Sequence, residues 1–154
     1  MTSKTGSTFV YATFIRTTPE KLWAALTDPE TMKRYWFDTW QDCDWKAGSP
    51  WRLIFPDGSV ADSGRILEIE PLKRVVIEWQ NHWRPEIKAE GPGRCTYEIE
   101  AVDDGAVKLT ITHTSERADS ELIKAVSSGW PKVLSNLKSF LETGAEVLKK
   151  VPLN

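Results

Sequence analysis

The chain predicts an α+β domain, an antiparallel sheet with helices along one side. Three observations carry this. From Trp51 to Thr114, apolar and polar residues alternate in short runs separated by tight turns, the pattern of antiparallel strands with one covered face. Near the front, Thr18-Pro19-Glu20 and Asp28-Pro29-Glu30 each mark the start of a short helix. Toward the end, one apolar stripe recurs at three- and four-residue spacing, as on a long helix that covers a sheet.

Residues 1–7 are small and polar and read as a loose end, 8–148 as one domain and 149–154 as a tail. Thr8–Ile15 is dominated by β-branched and aromatic residues and reads as a strand. Leu22, Trp23, Ala25 and Leu26 give the first helix its buried face; past Asp28-Pro29, Met32, Tyr35 and Trp36 line the second. From Phe37 the period becomes two, with about six further strands. Trp51, Leu53 and Phe55 form one face, and Pro56-Asp57-Gly58-Ser59 supplies a turn. Arg65, Leu67 and Ile69 fall in the inward phase of the next run, and Val75, Ile77 and Trp79 in that of the one after. Tyr97 and Ile99 oppose Glu98 and Glu100, Asp103-Asp104-Gly105 turns the chain, and Val107, Leu109, Ile111 and His113 return. Leu122, Val126, Trp130, Val133, Leu134, Leu137, Phe140 and Leu141 make the helical stripe. Within it, Ser127-Ser128-Gly129 and Pro131 are expected to break or kink the helix, since proline removes a backbone donor and clashes with the preceding turn.

At 154 residues the chain suits one domain of common size. A net charge of −2 and a pI near 5.8, with both signs interleaved along the chain, argue against nucleic acid as a partner. No apolar run approaches the roughly 20 residues that span a bilayer, and the start, MTSKTGSTFVYATF, lacks the apolar core of a secretory signal. A cytoplasmic protein without membrane insertion is expected. Cys43 and Cys95 have no CxxC spacing and are expected as free thiols, and a thiolate metal site needs more ligands than these. No nucleophile elbow, zinc-binding helix, phosphate loop or dinucleotide fingerprint occurs. Glu68, Glu78, Glu98 and Glu100 lie in the outward phase, as on a solvated face. No catalytic residue, metal or cofactor is assigned.

Three segments carry a family likeness: TPEKLWAALTDPETMKRYW at the front, GRILEIEPLKRVVIEW in the middle, and CTYEIEAVDDGAVKLTITHT followed by SSGWPKVLSNLKSFLE at the end. With these the chain resembles the START/SRPBCC superfamily with its helix-grip fold, and within it the branch named after the activator of the heat-shock-protein-90 ATPase. It departs from the pattern at Lys46-Ala47-Gly48-Ser49-Pro50, where the family often has a Gly-Gly turn. The resemblance implies a curved sheet of six or seven strands gripping the last helix. It also implies an internal cavity, which in relatives binds lipids, hormones, polyketides or other apolar molecules.

On that reading the ligand-binding candidates are Trp51, Phe55, Arg65, Trp79, Tyr97, His113, Trp130 and Leu134. The aromatic members read as a cavity lining, with plain core packing as the alternative. His113 could donate to a ligand carbonyl or act as acid or base; a backbone-satisfied core histidine is the alternative. Arg65 could pair with an acidic group of the ligand, or snorkel at the sheet rim. Residues 81–93, polar and rich in Gly and Pro, read equally as a lid or as a long connection with Trp83 packed on the rim. Trp36, Trp40 and Trp45 read as a plug at one end, a second cavity wall or a partner patch.

The expected function is binding of a small apolar or amphipathic molecule between sheet and C-terminal helix. The alternatives are a co-chaperone or stress-response interaction module, with a chaperone as partner, and a cyclase- or hydrolase-type enzyme using the same cavity, with His113 or Tyr97 as its acid or base. A homodimer through the tryptophan patch or a sheet edge is a further partner reading.

Overall fold

The computed structural model describes residues 6–149; the expectations for 1–5 and 150–154 lie outside the described residues. Strand β1 spans Ser7–Ile15 and is followed by α1 (Pro19–Thr27) and α2 (Pro29–Tyr35). Both helices start as their sequences predict. Thr18 Oγ1 accepts from the Lys21 amide at 3.2 Å, Asp28 Oδ2 accepts from the Thr31 amide at 3.0 Å, and a proline stands in each first turn.

Six further strands follow: β2 (Trp40–Cys43), β3 (Pro50–Ile54), β4 (Val60–Glu70), β5 (Arg74–Asn81), β6 (Gly93–Asp103) and β7 (Ala106–Ser115), with a short α3 (Pro85–Lys88) between β5 and β6. They form one seven-stranded antiparallel sheet in the order β1-β7-β6-β5-β4-β3-β2. The last helix, α4 (Glu121–Thr143), closes the inner face, and the whole is an α+β helix grip.

Two expectations need correction. First, α4 runs unbroken through Pro131. An interior proline costs about 3 kcal/mol. Leu122, Ile123, Trp130, Val133, Leu134 and Leu137 are all buried along that helix, at about 1.5–3 kcal/mol each, so burial outweighs the lost bond. The serine hydroxyls stay local: Ser127 Oγ donates to the Lys124 carbonyl and Ser128 Oγ to that of Ala125. Second, Arg65 does not face inward. The β4–β5 pairing is irregular between Ile66 and Glu68, so Leu67 is an extra residue and the alternation changes phase there. Before the bulge Asp62 and Ile66 are buried and Arg65 is exposed.

The bulge brings Asp62, Gly64 and Ile66 to the inner face. Gly64 lies in register with Trp51 on one side and Trp79 on the other, and the two indoles meet with ring centroids 4.4 Å apart. The strands approach closely there: a Cβ on Gly64 would lie 1.7 Å from the Glu78 carbonyl oxygen. Past α4, the chain is strapped back onto the core. Buried Asn136 accepts from the amides of Val147 and Leu148 and donates to the Leu148 carbonyl.

Candidate functional site

Between sheet and α4 lies a continuous aromatic cluster. Trp79 from β5 sits 4.4 Å from Trp51, 5.0 Å from the His113 ring and 6.0 Å from Trp130, centroid to centroid. Tyr97 meets Trp130 edge-on at 6.0 Å, and Trp36, at the end of α2, meets it at 5.2 Å. Most pairs are tilted or T-shaped, the arrangement that ring quadrupoles favour. Alternation along β3, β5, β6 and β7 aims these side chains inward, and α4 supplies Trp130 and Leu134, both buried. The structure therefore brings together Trp51, Trp79, Tyr97, His113, Trp130 and Leu134.

It leaves out two candidates. Arg65 faces outward, its Nε 3.7 Å from Glu78 Oε1. Phe55 lies one residue past β3, half-buried, with its ring edge-on to Trp83 at 5.6 Å. Residues 81–93 form a fastened connection: α3 buries Ile87, Arg84 N donates to Asn81 Oδ1, and both Glu90 oxygens accept from the start of α4. Trp36, Trp40 and Trp45 are half-buried against the core.

The interior holds a polar thread. Trp130 Nε1 donates to His113 Nδ1 at 3.2 Å. An indole nitrogen can only donate, so Nδ1 is the acceptor and the ring proton sits on Nε2. That Nε2 has no partner. Burial pushes the His113 pKa down to about 3, which keeps the ring neutral. Gln41 Oε1 accepts from Trp51 Nε1 at 2.7 Å and from the Tyr97 hydroxyl at 3.4 Å; its amide nitrogen is unpartnered. Asp62 Oδ1 is unpartnered too, and burial pushes the carboxyl up to about 7, with Trp79 and Asn81 offsetting part of the rise. Burial likewise drives the Tyr97 phenol well above its ordinary range.

The rings of Trp51, Trp79, Tyr97 and Trp130 meet across the space where a cavity is expected. Two recesses on the described surface lie elsewhere. One of about 460 Å³ runs over outward residues including Glu70, Arg74, Glu98 and Lys108. Another of about 140 Å³ lies beside Arg34 and Glu146. Sequence reasoning missed Gln41 and Asp62. Their signal was a polar residue in inward phase amid apolar neighbours, visible only once the β2 register and the β4 bulge are known.

Solved structures share this fold. A protein designated MLL2253 from Mesorhizobium loti aligns at TM-score 0.74 and 24% identity, over 88% of this chain and 97% of its own. The Plasmodium falciparum protein PFC0360w, described as an HSP90 activator, aligns at 0.71 and 22% over 88% and 96%. An Aha1 dimer from Colwellia psychrerythraea aligns at 0.71 and 19% over 90% and 98%. No match was found among curated proteins. The sequence profile described as "Activator of Hsp90 ATPase homolog 1-like protein" matches residues 16–142, well over half of the chain, and the chain belongs to that family.

Proposed function

We propose that the protein binds a small, largely apolar molecule between the sheet and α4, admitted by displacement of the aromatic side chains. One observation carries this reading: His113 Nε2, Gln41 Nε2 and Asp62 Oδ1 are all buried without partners around a single aromatic cluster. Each unsatisfied buried group costs about 1–3 kcal/mol, and such groups in native proteins call for an explanation. A ligand that supplies partners recovers that cost and adds apolar burial at about 25 cal/mol per Å². His113, neutral and carrying its proton on Nε2, acts as a hydrogen-bond donor and is unsuited to general-base chemistry near neutral pH.

The test is a proton–nitrogen correlation spectrum of the indole and imidazole groups during titration with 2-hydroxyfluorene, a neutral aromatic. Saturable shifts at Trp51, Trp79 and Trp130 are expected. Shifts confined to exposed Trp83 would refute the reading.

A second reading, an interaction module, has its own support. Val10 and Phe14 are 57% and 56% exposed on the outer side of edge strand β1, and large exposed apolar residues together mark contact surfaces. Phe14→Lys should then abolish capture of a chaperone ATPase or self-association in sedimentation. No capture and a monomeric wild type would remove this reading.

A further inference from the structure

We propose that Ser63 and His82 form a nucleophile–base pair on the outer face of the sheet, and that Ser63 takes the acyl group of a neutral aryl ester. This activity goes beyond the binding reading above and is independent of it. Ser63 stands between Asp62 and Gly64 of the inner face, so its side chain points outward, away from the aromatic cluster.

Ser63 Oγ and His82 Nε2 are 2.6 Å apart, within the reach that a serine and its base need. The strand register builds this contact. Ser63 pairs with Gln80 across β4 and β5, and the His82 amide donates to the Ala61 carbonyl at 2.9 Å. His82 therefore stands diagonally across from Ser63, where side chains on one face meet. Nineteen positions separate the two in sequence, and only the pairing of the strands joins them. Both residues are half-buried, held by their surroundings yet open to a substrate. With the ring proton on Nδ1, Nε2 accepts from the serine hydroxyl and activates it.

The surroundings select the substrate. Arg52 lies directly across from Ser63 on β3, and Arg65 lies two residues along β4. Each is already paired, Arg52 with Asp42 and Arg65 with Glu78. An anionic substrate thus finds no uncommitted arginine beside the serine, which favours a neutral one. Trp83 follows His82 directly. It is 49% exposed, with its ring edge-on to Phe55 at 5.6 Å, and this flat apolar surface one residue from the base suits the aryl part of an ester.

In the reaction, Ser63 Oγ forms a bond to the ester carbonyl carbon and its proton passes to His82 Nε2. The bond from that carbon to the aryl oxygen breaks, and the aryl oxide leaves with the electron pair and takes up the proton. An acyl-serine remains, and water hydrolyses it to the free acid. An aryl oxide leaves more readily than the serine alkoxide, so acylation outruns hydrolysis and the acyl-serine accumulates. Among the described residues no carboxylate is hydrogen-bonded to the His82 ring, so the pair works without the third member of a triad.

The experiment follows 4-nitrophenolate released from 4-nitrophenyl acetate, with mass-spectrometric peptide mapping of the protein. Wild type should give a burst of about one nitrophenolate per chain and carry an acetyl group on Ser63. Ser63→Ala should abolish the burst, and His82→Gln should slow it roughly a hundred-fold. Trp83→Ala should raise the half-saturating ester concentration several-fold. Mono-4-nitrophenyl succinate, an anionic analogue, should acylate more slowly than the acetate. Should a variant fail to fold, the acetylated position on wild type and the comparison of the two esters still decide. Acetyl groups on lysines only, a burst retained by Ser63→Ala, an unchanged half-saturation in Trp83→Ala, or faster acylation by the succinate each overturns the inference.

Discussion

Replacing Gly64 with alanine probes the contact on which the aromatic cluster is built. The added Cβ would sit 1.7 Å from the Glu78 carbonyl oxygen and 2.6 Å from its carbon, distances that no rotamer change can relieve, because both atoms are backbone. Strand β4 must move away from β5 by more than an ångström, or the chain must twist locally. Either response weakens the pairing of Gly64 with Trp79 and disturbs the Trp51–Trp79 contact at 4.4 Å. Overpacking of this kind costs about 1–3 kcal/mol, and a weakened ladder bond adds about 1 kcal/mol. A loss of about 3 kcal/mol corresponds to a fall in Tm of roughly 6–12 °C for a chain of this size. Thermal unfolding followed by near-ultraviolet circular dichroism reads both effects, since the tryptophan signal reports the cluster. An unchanged Tm and spectrum would refute the argument that close strand approach demands glycine here.

Other consequences follow from the buried polar groups and the core. Asp62 holds its proton to about pH 7 when folded and releases it near pH 4 when unfolded. The native state thus binds the extra proton, and this group makes stability fall as pH rises between those values. Asp62→Asn should flatten that slope in urea titrations at several pH values and stabilise the protein at pH 8 relative to wild type; an unaltered slope would contradict the burial argument. Leu134→Ala removes a side chain that is 1% exposed and should cost about 2–5 kcal/mol, read as a lower urea midpoint at constant m-value. Asn136→Ala frees the strap formed with Val147 and Leu148. Hydrogen exchange at those two amides should rise by an order of magnitude or more, for a global loss of about 2–3 kcal/mol.

Local chemistry made much of the fold legible. Thr18 and Asp28, each followed by proline, placed both short helices; Asp103-Asp104-Gly105 placed the β6–β7 hairpin; strict alternation pointed Trp79, Tyr97 and His113 inward. Arg65 was misplaced because a bulge leaves no mark in a simple two-residue alternation. Once Leu67 is an extra residue, every side chain before it changes face. Pro131 was read by its local cost, whereas the tertiary burial of its neighbours settles the helix. Gln41 and Asp62 escaped notice because a polar residue reads as surface until its strand register is known. An internal cavity is implied by resemblance alone, and local sequence does not say how the tryptophan rings of that space pack against one another.

The central claim is that the grip takes up one small, largely apolar molecule, and native mass spectrometry tests it most directly. The protein is weighed freshly purified, after incubation with 2-hydroxyfluorene, and again after denaturation. The account predicts a single adduct per chain, native only and lost on denaturation. A mass equal to the polypeptide alone under every condition would contradict it.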